Sequence, residues 1–559
     1  MNAVDMRFNL IDEPWIPCTL RGSAGQEERR ELGLREVLVQ AREIVELTDP
    51  SPLVTAALHR LLLALLHRLY GPTDRREWKA LYGRGWDTGK LDEYLERRRD
   101  RFDLFDDQHP FYQTASIGVQ YATPISKLTH ELAGGNNATL FDHTTEIDTP
   151  AFRPARAARS LVAYQAYAVG GLVSFDDKAH KSATAAPLVK GAVAVVRGGN
   201  LFETLMLNLV DNGPERQRHY ATRAHDRTAW ERDEETRPVD RLPDGYLDLL
   251  TWQSRRIKLF PERDAHGDIV VPRVAVLKGY GFTPGFERPQ VETMVAFKKP
   301  ARVTAGQDPF PAVGFRADRA LWRDSLALFQ AAGNESEPPK TFQWLHGLAD
   351  DEAIDAGTVF PLDLFGLVTD KASVLLWRHE RLPLPLAYLD PANGGLVDAL
   401  KEALNLAEET GQALRTAGFI LAERLLAPES DQPNARKPQA EDTRRLATSF
   451  ELERAYWPHL DVAFKLLIED LPQPHDRVEE RGLVTYGVVA IPRWRELLKR
   501  TARDVFDAAT RGLDTSSRSL KATALAKRTL EWGLAKALDT QVRVAPETAP
   551  SKEGDGIAV

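Results

Sequence analysis

The spacing of apolar and polar residues changes character along this chain. Residues 51–70 carry leucine and alanine at helical spacing behind a Ser-Pro pair, which favours a long helix. Between residues 103 and 391, short apolar runs alternate with turns rich in glycine and proline. The short runs are residues 192–196, 269–271 and 294–297, and residues 161–168 and 320–331 have helical spacing. This alternation predicts a mixed α/β domain.

After residue 390 the apolar positions take the spacing of long amphipathic helices. Four are predicted, over residues 395–427, 439–471, 492–512 and 515–538. Long helices joined by polar segments are typical of a helical bundle. The prediction is an α+β chain with three parts: a large, irregular mixed α/β domain over residues 1–390, a C-terminal four-helix bundle over residues 391–540, and a disordered tail over residues 541–559.

Composition narrows the class of protein and its compartment. With 43% hydrophobic and 28% charged residues among 559, the chain is expected to be soluble and globular. It has no run of eighteen apolar residues, and its start lacks a secretory pattern, so no membrane association is predicted. Cys18 is the only cysteine, which excludes an intrachain disulfide and a cysteine zinc site. The expected location is therefore the cytoplasm.

The formal net charge of −8 argues against a free-standing DNA-binding protein. Any contact with nucleic acid must come from local patches, or within an assembly whose other chains supply positive charge. The charged segment 214–241 is predicted to be a solvated loop or a mobile excursion.

No catalytic motif stands out in the sequence. It contains no Walker loop, no His-Glu-x-x-His, no Gly-x-Ser-x-Gly and no cysteine cluster, so we predict no enzyme activity, no cofactor and no metal. Two alternatives stay open. One is a metal-independent hydrolase or transferase with a site near His109, Asp142 and His143. The other is a purely structural scaffold.

Several loops instead have the composition of contact surfaces. A Gly-Gly-Asn-Asn run at 134–137 predicts an irregular loop, and it leads into two apolar and two hydrogen-bonding residues, Leu140, Phe141, Asp142 and His143. Gly170 and Gly171 follow a helical stretch, where they either cap the helix or allow another backbone to approach.

Polar turns and basic clusters complete the set of candidates. Lys298 and Lys299 follow the β-like run 294–297, and Thr369-Asp370-Lys371 forms a polar tip between two apolar runs. A hairpin or strand-to-helix turn there would project Lys371 outward. In the predicted bundle, basic residues cluster at two helix starts, where solvated faces are the default interpretation and DNA contact is the alternative. These residues are Arg436, Lys437, Arg444, Arg445, Arg518 and Lys521.

Taken in order, these segments resemble the CasA family, the large subunit of the type I-E CRISPR surveillance complex Cascade. The resemblance runs through the first 390 residues, and the helical C-terminal part agrees with the family's four-helix bundle. The matching segments are Asn9-Leu10-Ile11-Asp12, Trp15-Ile16-Pro17, His109-Pro110-Phe111-Tyr112-Gln113-Thr114, Thr123-Pro124-Ile125-Ser126-Lys127-Leu128, the Gly-Gly-Asn-Asn loop, Arg197-Gly198, Leu205 to Leu209, Thr251-Trp252-Gln253, Arg319-Ala320-Leu321-Trp322-Arg323-Asp324 and Leu375-Leu376-Trp377-Arg378-His379.

The resemblance implies a non-enzymatic recognition subunit. In the family, the large domain reads the protospacer-adjacent motif of double-stranded DNA from the minor groove, and a wedge opens the duplex so that guide RNA can pair. The subunit also docks the helicase-nuclease. The implied partners are the backbone and small Cascade subunits, the CRISPR guide RNA, the target duplex and the helicase-nuclease.

Family roles carry over by position. The loop that anchors the subunit near the guide-RNA end matches residues 140–143, and the glycine loop against the minor groove matches Gly170 and Gly171. The lysine finger matches Lys298 or Lys299, and the wedge matches Thr369-Asp370-Lys371, where the family often has Asn or Gln. Some members carry cysteine pairs where this chain has residues 262–268, for which the resemblance implies a glycine-containing turn instead.

Overall fold

The computed structural model describes residues 6–22, 26–132, 150–211, 225–299, 302, 308–329, 336–427 and 438–539. The chain divides into two compact units, Met1–Val397 and Asp398–Val559. The predicted contact loop at 140–143, the basic residues Arg436 and Lys437, and the tail at 541–559 lie outside the described residues.

The N-terminal unit is a mixed α/β structure built on several small sheets. Its helices are Leu34–Val39, Pro52–Tyr70, Arg75–Arg84, Thr88–Arg97, Pro154–Tyr167, Leu201–Asn208, Tyr246–Leu250, Leu326–Phe329 and Lys340–Asp350. Its strands are Ile16–Arg21, Glu27–Leu32, Ile44–Leu47, Thr123–Pro124, Gly171–Leu172, Ser182–Ala183, Val193–Val196, Asp240–Arg241, Arg255–Arg263, Ile269–Lys278, Gly281–Phe282, Phe297–Lys298, Ser336–Glu337, Val359–Asp370 and Ser373–Pro385. The described sheets have two or three strands each, which fits the short apolar runs of the sequence.

The helix Pro52–Tyr70, here the core helix, forms the centre of this unit, as its leucine and alanine pattern predicts. It is long and apolar enough to span a bilayer, but 89% of that stretch is buried within the protein. Its one buried guanidinium, that of Arg60, donates to Glu292 at 2.8 and 3.1 Å. Burial would raise the pKa of Glu292, but the charge and hydrogen bonds of Arg60 hold it below its usual value. This pair fixes the core helix against the segment that leads to Lys298.

Buried His59 on the core helix should make stability depend on pH. Burial lowers its pKa from 6.5 to about 4, although its ring also donates to the carbonyl oxygen of Thr55 and lies near Arg197, Asp363 and Glu46. Between these two pH values the unfolded chain binds more protons than the folded chain. We therefore expect about 3 kcal/mol of stability, present above pH 6.5, to be lost as pH falls toward 4.

Denaturant unfolding at several pH values measures this effect, with His59→Leu as the matched variant. Buried His130 also has a lowered pKa and contributes a loss of the same sign, so the difference between the two proteins isolates His59. An identical pH slope in wild type and variant would contradict the expectation.

The long hairpin, strands Val359–Asp370 and Ser373–Pro385, extends the sheet that also contains Val193–Val196. Buried Asp363 anchors its base by accepting hydrogen bonds from Arg197, His379 and Arg381 at 3.1, 2.8 and 2.6 Å. Burial would raise the pKa of Asp363, but His379 and Arg381 hold it well below its usual range. These contacts tie the base of the hairpin to the neighbouring segment that contains Arg197.

Two predictions for this unit are wrong in the described residues. Within the segment predicted as a solvated loop, Trp230 and Glu231 are buried, because Trp230 packs against Phe102 and donates to Tyr94. The described part of the helix predicted over residues 320–331 is not one helix: a 3₁₀ turn at Leu321–Asp324 precedes the four-residue helix Leu326–Phe329.

The C-terminal unit is mainly helical. Its described helices are Gly394–Leu426, whose first four residues belong to the N-terminal unit, Ala440–Ser449, Leu452–Asp470, Ala490–Thr510 and Ser517–Leu538. The prediction of a single helix over residues 439–471 is wrong, because Glu451 adopts a left-handed φ of 50° and breaks the helical hydrogen-bond ladder. An exposed hairpin, Arg477–Glu480 with Leu483–Tyr486, was not expected from the sequence.

Candidate nucleic-acid interface

The candidate wedge residues form the tip of the long hairpin. Asp370 pairs with Ser373, so Lys371 and Ala372 make a two-residue turn, and Asp370, Lys371 and Ala372 are exposed. The hairpin alternative for this segment is confirmed, and it projects Lys371 outward. Lys371 has a left-handed φ of 54°, which is costly for a residue with a side chain.

This backbone angle gives a direct test of the turn. We expect Lys371→Gly to stabilise the N-terminal unit by about 0.5–1 kcal/mol, because glycine removes the left-handed cost but adds unfolded-chain entropy. Ser373→Gly, in the adjoining extended strand, is the control and should destabilise. Denaturant midpoints measure both, and an equal loss in the two variants would show that the turn is not strained.

The two candidate glycines lie beside this tip. Gly170 and Gly171 follow the helix Pro154–Tyr167, whose cap is Ala168, so close approach rather than capping describes them. A Cβ added to Gly170 would lie 3.0 Å from the backbone nitrogen of Ala185. At Gly171, where φ is 141°, an added Cβ would lie 3.3 Å from the Cβ of Ala372. The glycine segment and the hairpin tip are therefore in contact.

Lys298 and Lys299 lie at the end of a short strand, and each has an acidic partner. Lys298 Nζ lies 2.8 Å from Asp324 Oδ1, and Lys299 Nζ lies 2.6 Å from Glu337 Oε1. The Lys298 side chain is 49% exposed, against 32% for Lys299, so Lys298 is the more accessible of the two. The acidic partners lie far along the chain from the lysines, so sequence reasoning missed them.

Each of these carboxylates is shared with a second cation. Arg319 Nε lies 3.3 Å from Asp324 Oδ2, and Lys340 Nζ lies 3.4 Å from Glu337 Oε2. In these described ion pairs four cations, Lys298, Lys299, Arg319 and Lys340, contact two carboxylates, although the whole chain is acidic. Such a local excess can attract a polyanion without a basic chain around it.

Sheet register relates the lysines to the hairpin tip. Val193 pairs with Phe365 of the long hairpin and also bridges Val295, both in antiparallel register. The two segments Phe365 to Lys371 and Val295 to Lys298 are both antiparallel to the strand that contains Val193. They therefore run in the same direction. Lys298 and the hairpin tip lie toward the same end of this sheet.

In the C-terminal unit, the described basic candidates are exposed on two helices. Arg444 and Arg445 lie on Ala440–Ser449, and Arg445 pairs with Asp442 at 2.9 Å. Arg518 and Lys521 lie on Ser517–Leu538, where helical spacing places Trp532 on the same face. Trp532 is 69% exposed, and the predicted basic cluster did not include it.

The residues of the alternative hydrolase or transferase site are only partly described by the structure. His109 is half-buried, and its backbone N–H donates to Asp106 at 2.7 Å, while Asp142 and His143 lie outside the described residues. Cys18 is buried, and burial raises its pKa to about 12. Within the described residues, no group of three or more His, Cys, Asp or Glu side chains could hold a metal ion.

The fold defines a class of α+β proteins with a mixed N-terminal unit and a mainly helical C-terminal unit. Residues 9–505 match the family model of CRISPR-associated protein Cse1. The chain is 35% identical to CRISPR-associated protein CasA/Cse1 of Thermus thermophilus over 537 residues, covering 93% of this chain and 95% of the relative. The chain belongs to the Cse1 (CasA) family.

Solved structures agree with this assignment. Cse1 from Acidimicrobium ferrooxidans is 25% identical with a TM-score of 0.78, and the match covers 96% of this chain and 99% of that one. A chain of a CRISPR RNA-guided surveillance complex is 21% identical with a TM-score of 0.70, covering 94% of this chain and 99% of that one. The latter match shows likeness of fold.

Proposed function

We propose that this chain is the non-catalytic large subunit of a type I-E CRISPR RNA-guided surveillance complex, Cascade. Within it, the chain recognises the protospacer-adjacent motif in double-stranded DNA, helps open the duplex and docks the helicase-nuclease. Family membership and the fold shared with a surveillance-complex chain support assembly. The partners are the backbone and small subunits, guide RNA, target duplex and helicase-nuclease.

The arrangement around the hairpin tip is the observation that carries motif recognition. Gly171 contacts Ala372 beside Lys371, and sheet register directs Lys298 to the same end. A minor groove about 6 Å wide accepts backbone without side chains and slender lysines better than bulky side chains. The turn and the glycine segment thus suit contact with one stretch of duplex.

Charge supports the same role. Lys298 and Lys299 lie in a described group of four cations that contact two carboxylates. The net charge of −8 leaves the chain as a whole without a general attraction for DNA. Lysine donates to the minor-groove acceptors of several base pairs, so the readout is degenerate. In this proposal, guide pairing and partner subunits supply most of the affinity, as in other RNA-guided systems.

Two further assignments have different grounds. The family resemblance supports a role for Leu140, Phe141, Asp142 and His143 in anchoring the subunit near the guide-RNA end. The exposed basic residues on two helices, Arg444, Arg445, Arg518 and Lys521, support contact with a DNA strand. Docking is tested by comparing how much purified helicase-nuclease is captured by complexes assembled with and without this chain. We expect capture only when the chain is present, and equal capture would reject the docking role.

The motif assignment is tested by reconstitution from the neighbouring subunits and guide RNA. Complexes with and without this chain select from duplexes that carry one target and randomised flanking bases. We expect a restricted set of flanking sequences only when the chain is present. Selection that does not change when the chain is left out would assign motif recognition elsewhere.

A further inference from the structure

A buried arginine contacts the backbone on both sides of the glycine segment. Arg255 is 1% exposed, and sequence reasoning did not include it among the candidates. Its guanidinium donates to the backbone carbonyl oxygens of Ser254 at 2.8 Å, Val169 at 2.8 Å, Thr184 at 2.9 Å and Ala168 at 3.4 Å. One side chain thus binds backbone from three separate segments of the chain.

Two of these carbonyl groups belong to the two ends of one small hairpin. Strands Gly171–Leu172 and Ser182–Ala183 pair to form it, and it is called the glycine hairpin below. Val169 lies just before its first strand and Thr184 just after its second. Both accept from the same nitrogen, Nη2 of Arg255. Arg255 therefore holds the two ends of the glycine hairpin together.

The positive charge of Arg255 has an unusual environment. Among the residues that the structure describes, no carboxylate lies within ion-pair distance of its guanidinium, whereas the buried guanidinium of Arg60 pairs with Glu292. Burial lowers the pKa of Arg255, because it disfavours the charged form. Buried charges are normally paired, since burying an unpaired one is costly. The hydrogen bonds to the two ends of the hairpin offset this cost.

The loop of the glycine hairpin has balanced charge. It contains two acidic and two basic residues, Asp176, Asp177, Lys178 and Lys181. Arg256, on the opposite face of the strand from Arg255, donates to both carboxylate oxygens of Asp176, at 2.8 and 3.0 Å. The hairpin is thus held at its ends by Arg255 and at its loop by Arg256. These contacts fix the position of the hairpin and do not create a basic surface.

We propose that Arg255 is a positioning residue for motif recognition, because it holds Gly170 and Gly171 in the conformation that meets the minor groove. A planar guanidinium can bond both ends of the hairpin at once, which a single ammonium does less well. A segment that is fixed before DNA arrives loses less conformational freedom on binding, so its affinity is higher. The proposal rests on the proposed function and adds a residue that itself touches no DNA.

Hydrogen exchange in the assembled complex without DNA tests the positioning directly. Val173 and Ala186 report on it, because their N–H groups donate to carbonyl oxygens across the glycine hairpin and its ends. We expect Arg255→Gln to speed exchange of both amides about tenfold. Arg255→Lys, which keeps the charge but not the planar fork, should give a smaller increase. Glu231→Gln, which weakens an ion pair of a buried carboxylate elsewhere in the N-terminal unit, is the control and should leave this exchange unchanged.

Duplex binding by the same complexes relates the position of the segment to recognition. We expect Arg255→Gln to weaken binding of motif-bearing duplex about tenfold and of motif-free duplex less than about twofold. Binding by Arg255→Lys should lie between those of the glutamine variant and wild type. Denaturant unfolding shows whether each variant is folded, and Arg255→Lys decides the test if the glutamine variant is not.

Unchanged exchange in the Arg255 variants would overturn the proposal, as would equal losses on the two duplexes. The proposed function is judged separately from the wild-type complex. Equal binding of motif-bearing and motif-free duplex by wild type would reject motif recognition itself, whereas the exchange result would still decide whether Arg255 holds the glycine segment.

Discussion

Lys298→Ala combined with Lys299→Ala should weaken binding of motif-bearing duplex by the assembled complex about 10- to 100-fold. Hydrogen bonds from charged donors are worth about 1.5–3 kcal/mol. Both lysines lie at the end of a strand that runs toward the same end of the sheet as the hairpin tip. Because Lys298 is the more exposed, we expect Lys298→Ala to account for most of the loss. Equilibrium binding of labelled duplex measures the effect.

Motif-free duplex and a salt series distinguish motif reading from general attraction. A lost phosphate contact lowers the salt slope by about 0.9 and weakens all sequences alike. Lys178→Ala with Lys181→Ala is the matched control, since both lysines are exposed in the neighbouring hairpin. Equal losses on motif-bearing and motif-free duplex would remove Lys298 and Lys299 from motif reading.

Glu292→Gln should destabilise the N-terminal unit by about 3–5 kcal/mol, because it leaves buried Arg60 without its counter-charge. The change also weakens the 3.0 Å hydrogen bond from the Met294 N–H, which shapes the segment before Lys298. We therefore expect reduced motif binding together with reduced stability. Denaturant unfolding of the purified chain measures the stability.

Two comparisons define this result. Asp351→Asn breaks an exposed pair with Arg75 and should change the free energy of unfolding much less than Glu292→Gln does. Arg60→Met with Glu292→Leu replaces both buried charges with apolar groups and should recover much of the lost stability. A cost for Glu292→Gln no larger than that of the exposed pair would show that the buried pair does not hold this segment.

Local patterns were sufficient to predict much of the fold. The core helix is confirmed because its apolar spacing and Ser-Pro start act over neighbouring residues, and residues 193–196 form the strand that their β-branched run indicates. The resemblance is confirmed by family membership. The glycine-containing turn implied near residues 262–268 is present, with Gly267 at a φ of 87°.

The errors came from tertiary contacts that leave no local pattern. Trp230 lies in a highly charged stretch, yet an aromatic cluster from distant segments buries it. The helix break at Glu451 has neither a glycine nor a proline at the break itself. Likewise, the acidic partners of Lys298 and Lys299 come from later segments of the chain. Sequence reasoning therefore found the two lysines but not the ion pairs that they form.

Photo-crosslinking tests most directly whether the hairpin tip with Lys371 and the strand Phe297–Lys298 contact one stretch of duplex. Lys371→p-azidophenylalanine and Lys298→p-azidophenylalanine are assembled separately into the complex with motif-bearing duplex, and the crosslinked bases are mapped. We expect both positions to crosslink to bases within about one helical turn, 10 base pairs, that includes the motif. Crosslinks to separate regions of the DNA, or to motif-free and motif-bearing duplex alike, would contradict a shared recognition surface.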